Sequence, residues 1–160
     1  MVWTVITLVV ITFIPAFELR ASIPYGFYDP DTTLSMAATV FVCVAANIAL
    51  APVVWLFLDK GIHIFLRVQW IQSLYDSIVV RTQDKVHPYI ERWGTLGLAL
   101  FIGVPLPGSG VYSGGLGAFL LGFRFHQFMV ASVFGVLIAG TLVTLVVVSG
   151  TSAFEFVLKH

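Results

Sequence analysis

The stretch Val104-Pro105-Leu106-Pro107-Gly108-Ser109-Gly110 decides how this chain folds. It lies inside 93–123, a run without a charged residue that holds nine of the fourteen glycines. No regular helix passes through Pro-x-Pro-Gly-x-Gly, because proline lacks an amide donor and its ring crowds the preceding turn. Yet both flanks are apolar. At membrane depth, irregular backbone is tolerated only when it is buried in protein or lines a wet cavity. The expectation is helix in, break at 104–110, helix out: a re-entrant loop near 104–113, with Arg124 at its exit.

The surroundings of that stretch require lipid. The chain has 160 residues, 59% of them hydrophobic and only 10% charged, with a mean hydropathy of +1.00. A soluble domain carries about 25% charged residues. That balance excludes an ordinary soluble globule, a disordered chain and a nucleic-acid binder; the formal net charge is zero. About 20 apolar residues span a bilayer core as helix, and two further charge-free runs qualify, 32–58 and 125–154. The second carries Ala131, Ser132, Gly135, Ala139 and Gly140, small residues that allow close helix contact. Cys43 is the single cysteine, so neither an intrachain disulfide nor a cysteine metal site is expected. His63, His87 and His126 show no metal spacing, and no cofactor is expected. The first residues lack a basic stretch and a cleavage site, so they read as mature structure.

The first half repeats the plan. An apolar run, 1–17, is broken at Pro15 and followed by Glu18, Arg20 and Ile23-Pro24-Tyr25-Gly26, which predicts a re-entrant loop near 15–26 before the span 32–58. Ile14-Pro15 and Val104-Pro105 occupy corresponding places. Between the halves, 59–92 holds most of the charges. Ile64, Val68, Ile71, Tyr75 and Ile78 recur there at helical spacing, which predicts an amphipathic helix in the interface plane. The reading is a single all-α integral membrane domain over 1–160. It is an inverted repeat of re-entrant helical hairpin plus transmembrane helix, with halves 1–58 and 93–160 and an amphipathic cytoplasmic linker helix in 59–92. Lys60, Arg67, Arg81, Lys85, Arg92 and Arg124 fall on one side, so the positive-inside rule places the linker in the cytoplasm and both termini outside. Broken segments of inverted repeats meet near the midplane in many transporters.

The candidate chemistry follows from the breaks. A charge at the centre of a membrane helix costs roughly 2.5–3.5 kcal/mol on insertion scales, so Glu18 and Arg20 must be paired, wet or close to the interface. Residues i and i+2 do not share a helix face; an extended or turning segment after Pro15 would let both point one way. Arg20 offers a planar donor fork for an anionic head group, with Glu18 as the proton carrier; the plainer alternative is that both snorkel to water. In the second loop, Pro105, Pro107, Gly108 and Gly110 let a ligand approach the main chain. The N–H groups opening the return helix make an anion site, and Ser109 and Tyr112 add hydroxyls; the alternative is a tight, unliganded hairpin. Asn47, in mid-span, lines the cavity or makes one interhelical hydrogen bond. Arg81 and Thr82 cap the cytoplasmic mouth or touch lipid phosphate.

These residues carry a family resemblance. Pro15-Ala16-Phe17-Glu18-Leu19-Arg20-Ala21-Ser22-Ile23-Pro24-Tyr25-Gly26 resembles the P-x-x-E-L-R-x-x-I-P-x-G element of the small multidrug export protein family. Phe101 through Gly115 looks like that family's second signature, and Arg81-Thr82 fits its linker. The family is similar in plan to the DedA superfamily of membrane transporters. DedA-like resemblance implies two facing re-entrant loops and proton-coupled transport of lipid carriers such as polyprenyl phosphates. The second loop here lacks the arginine usual in DedA proteins, which leaves Arg20 as the main anion candidate.

The expected function is a membrane transporter or lipid-carrier flippase, proton-coupled, moving an amphipathic, polyprenyl-phosphate or drug-like substrate between facing loops. Glu18, Arg20, Pro24, Asn47, Pro105, Pro107, Gly108, Ser109, Gly110 and Tyr112 are its site. Two alternatives stand beside it, an intramembrane lipid-phosphate phosphatase and a non-transporting scaffold. An enzyme is not expected, since the phosphatase would want several carboxylates and arginines at depth. The expected partners are the bilayer of a prokaryotic-type cell membrane, a lipid-phosphate or other amphipathic substrate and a second copy in a homodimer, with no nucleic acid.

Overall fold

In a computed structural model of the protein, the described residues are 2–15, 17–30, 32, 34–65, 94–105 and 109–158; of 62–65 and 151–158 only the backbone is described. They form six helices and no strand: α1 Val2–Phe13, α2 Glu18–Tyr28, α3 Met36–Phe65, α4 Thr95–Gly103, α5 Val111–Leu120 and α6 Phe125–Leu158. The order of lengths is short, short, long, twice over. The longest short helix, α1, has 12 residues and reaches about 18 Å at 1.5 Å per residue, well short of a bilayer core of about 30 Å. The apolar stretches Met36–Gly61 of α3 and Phe125–Gly150 of α6 are each 26 residues long, enough to cross. The described residues are all-helical, and the two long apolar helices mark a membrane protein.

Local chemistry explains the helix ends. Proline has no amide to continue a helix, and α1 stops two residues before Pro15. The amides of Phe17 and Glu18 bond to the Ile14 carbonyl, so the chain turns within four residues and starts α2. Val104 leaves α4 with ψ 119°, the extended conformation a following proline imposes. At the end of α5, Phe123 N–H bonds to the Ala118 carbonyl and Gly122 N–H to the Phe119 carbonyl, the paired closure of a Schellman motif. The next helix starts at once, with the Gln127 side chain accepting from the Arg124 amide at 2.9 Å, half of a capping box.

Four boundaries differ from the sequence reading. Helix α2 occupies most of the segment predicted as a loop near 15–26, with Pro24 inside it; the actual break is the short turn at 14–17. Helix α3 begins at Met36 rather than residue 32, because Ser35 serves as its N-cap, its Oγ accepting from the Ala38 amide at 3.3 Å. It then runs through Asp59 and Lys60 to Phe65 rather than closing at 58, since long charged side chains reach water without ending the helix beneath them. Helix α6 extends to Leu158, past the predicted end at 154. Most of the linker, 66–92, including Arg81 and Thr82, lies outside the described residues, as do Pro107 and Gly108 of the second break.

Packing ties the short helices to the long ones. Helix α4 lies along α6, with Gly135 at the closest approach. A Cβ there would stand 2.7 Å from Ile102 Cβ and 2.8 Å from the Ala99 carbonyl oxygen. Gly135→Ala therefore has to push two backbones apart, and overpacking of this kind costs about 1–3 kcal/mol. We expect a lower unfolding temperature in detergent; an unchanged one would show that α4 sits loosely on α6. On the other side, the Trp55 ring stacks on Phe128 at 5.3 Å and meets Phe119 edge-on at 5.6 Å, joining α3, α5 and α6. The outer face is apolar as well. Trp3, Phe41, Phe57 and Val146 are all more than two-thirds exposed, a surface suited to lipid rather than water.

Candidate functional site

The two breaks meet each other. Glu18, the first residue of α2, is 8% exposed and stands at φ 43°, a left-handed conformation that costs a non-glycine residue on the order of 1–3 kcal/mol. Its carboxylate reaches α5: Val111 N–H donates to Oε2 at 3.2 Å and Tyr112 N–H to Oε1 at 3.3 Å. These are the first two amides of that helix, donors with no partner of their own inside it, at the end where the helix dipole favours a negative charge. The Ser22 hydroxyl donates to the Glu18 carbonyl at 2.9 Å from one turn on.

Arg20 reaches the same break. Its Nη2 donates to the Ser109 carbonyl and to Ser109 Oγ, both at 2.6 Å. The Ser109 hydroxyl in turn donates to the Val104 carbonyl, tying together the two ends of the second break. A reciprocal link runs back to the first half, where the Tyr112 hydroxyl donates to the Phe13 carbonyl at the end of α1. Residues some ninety positions apart in sequence thus supply each other's missing hydrogen bonds. Buried helix ends, whose first amides and last carbonyls lack partners within the helix, require this.

Gly110 makes the approach possible. It has φ 133° and ψ −171°, a region only glycine occupies at low cost. A Cβ on it would lie 2.5 and 2.8 Å from the two Glu18 carboxylate oxygens. Beneath the contact lies a cavity of about 10 Å³ whose walls include Glu18, Arg20, Asn47, Gly110, Ile102 and Val136. Asn47 is 1% exposed, and its Oδ1 has no hydrogen-bond partner among the described residues.

Most of the sequence-derived site assembles here. Glu18, Arg20, Asn47, Ser109, Gly110 and Tyr112 come together, although Glu18 and Arg20 lie in the first turn of a helix and not in extended chain. They converge because both reach past the end of α2, where the left-handed Glu18 departs from helical geometry. Pro24 sits in the second turn of α2 and Pro105 in the second break; neither is a wall of the cavity. The amides at the start of the return helix, where an anion was expected, bond to the chain's own Glu18 carboxylate. Sequence reasoning missed the Phe13 carbonyl and the packing residues Ile102 and Val136. A backbone acceptor and ordinary apolar side chains carry no signature of their role.

The described residues therefore define a helical membrane protein with two broken helix pairs that meet through a buried acid and an arginine. A family model described as "Putative small multi-drug export protein" matches residues 18–142, from the first residue of α2 through α3 and the second break into α6. The chain belongs to this family. No curated protein and no solved structure matches it.

Proposed function

We propose that the protein is a proton-coupled transporter that moves an amphipathic substrate across the membrane, with Glu18 as the proton carrier and Arg20 as the anion-binding group. One observation carries this reading: the Glu18 carboxylate occupies the amides that open α5. An anionic head group would seek those same donors and the Arg20 fork. Substrate and ionised Glu18 thus compete for one set of partners. A protonated Glu18 gives up its charge and its hold on the helix, freeing the donors. Proton uptake and head-group binding are coupled without any further moving part.

Around this core, the two halves act as an inverted repeat, each contributing a re-entrant pair whose break points at the other, with the linker in the cytoplasm. That plan is the one expected from DedA proteins. An apolar groove of about 350 Å³, walled by Phe13, Leu50, Val54, Phe57, Tyr112 and Leu116, adjoins the site through Tyr112. It offers room for part of a hydrocarbon tail or a drug-sized apolar group, which supports an amphipathic cargo. The family description, with its reference to multi-drug export, points to transport rather than catalysis.

Flux into liposomes holding the purified protein tests the reading. Labelled lipid phosphates and amphipathic drugs are presented with and without a pH gradient. We expect one class to move, driven by the gradient and halted by a protonophore. Flux no greater than through empty liposomes across the whole panel would refute it.

A further inference from the structure

Asn47 has no role in the contacts described so far, yet it is the most telling polar group in the core. It sits in the middle of a membrane-spanning helix, 1% exposed, with an acceptor oxygen that meets no donor among the described residues. A buried acceptor left alone loses the hydrogen bond that water would give it, so such an oxygen signals either a missing donor or a second state. The small cavity beside it brings it together with Glu18. Asn47 and Glu18 are walls of the same small space of about 10 Å³, roughly the room one water needs.

In the state described, Glu18 is an acceptor only. Both of its oxygens take amide hydrogens from α5, and an ionised carboxylate has no hydrogen to offer Asn47. A protonated Glu18 has one. We infer that Asn47 is the acceptor for the protonated form of Glu18, its Oδ1 receiving the carboxylic O–H directly or through a single water in the shared cavity. This inference rests on the reading of Glu18 as the proton carrier and adds to it a specific partner for the second protonation state. The carboxyl group then has two alternative sets of partners: the α5 amides when charged, Asn47 when neutral. Such a change of partners is the bistable element that a coupled transporter needs.

Among the described residues that wall the cavity, no side chain other than Asn47 competes for that proton. The titratable groups that face Glu18 among the described residues are Arg20, on its own helix, and Tyr112 of α5. Arg20 is a donor only, and the Tyr112 hydroxyl is turned to the Phe13 carbonyl. Helices α4 and α6 present Ile102, Val136 and Ala139, and α3 presents Asn47.

Infrared difference spectra between high and low pH, taken on the protein in lipid vesicles, provide the test. A carboxylic C=O band that appears on acidification and is lost in Glu18→Gln reports the protonated Glu18. In Asn47→Leu, which is close to isosteric but has no acceptor, that band is expected to move to higher frequency, as a carboxylic acid does on losing its hydrogen bond. Should the leucine variant fail to elute as a folded protein, Asn47→Val gives the same readout. A Glu18 band at the wild-type frequency in the apolar variant overturns the role of Asn47 while leaving the proton carrier standing. Absence of any Glu18-dependent band in the wild type overturns the proton carrier, and the inference falls with it.

Discussion

Glu18→Gln is expected to leave the protein folded and to abolish gradient-driven flux. The substitution keeps the shape of the side chain and one acceptor oxygen, so one of the two α5 amides stays satisfied. The other then faces an NH₂ group, donor against donor, at a cost of about 1–3 kcal/mol for a buried unmet hydrogen bond. Losing the negative charge at the α5 N-terminus adds roughly 0.3–1 kcal/mol. Those losses lower the unfolding temperature without exhausting the 5–15 kcal/mol typical of a folded protein. The functional consequence is larger, because an amide cannot take up and release a proton in the pH range of the assay. Gradient-dependent flux should fall to the level of empty liposomes, while size-exclusion profile and helical content stay those of the wild type. Gradient-driven flux at the wild-type rate in Glu18→Gln would remove Glu18 from the coupling step altogether.

Gly110→Ala should produce the largest loss of stability from a single methyl group. At φ 133° and ψ −171°, alanine is strained by about 1–3 kcal/mol whatever the space around it. Here the space is absent as well, since the new Cβ would sit 2.5 Å from Glu18 Oε2 and 2.8 Å from Oε1. Either the backbone yields or the carboxylate leaves the α5 amides, which forfeits hydrogen bonds to a charged group worth about 1.5–3 kcal/mol. For a chain of this size, a loss of that order lowers the unfolding temperature by about 10 °C. A double-mutant cycle separates the two causes. With Glu18→Ala in the background, the collision disappears and only the backbone strain remains, so the combined loss should be smaller than the two single losses together. An unchanged unfolding temperature in Gly110→Ala would mean that the two breaks do not meet as described.

Part of the candidate site is legible in residue type alone. Glu18 and Arg20 stood out because charges in apolar surroundings are rare, and Pro105 to Gly110 because no helix accommodates them. Both signals depend on residue type alone. Their relation to each other could not be extracted, since nothing in Glu18 announces that Val111 and Tyr112, ninety-odd residues later, will present their amides to it. The extended or turning segment expected at Glu18 and Arg20 is already helix for the same reason. Local preference after a proline is weak, and α2 is held by its packing, with Leu19 and Ile23 buried in the core. Asn47 was legible as a polar residue in a span; that its oxygen finds no donor among the described residues depends on every neighbour at once.

Length and unbroken apolarity settled α3 and α6 in advance, because a bilayer imposes a minimum number of residues and penalises every charge among them. Pro15 and Pro105 likewise marked where α1 and α4 stop, since their limits are built into the covalent chain, whereas Pro24 is carried inside α2. What only the tertiary structure decided is the meeting of the breaks: a carboxylate, two helix amides, a guanidinium and an unanswered amide oxygen drawn to one point. Buried hydrogen-bonding groups are cut off from bulk water, and which distant partner satisfies each of them is a property of the packed molecule.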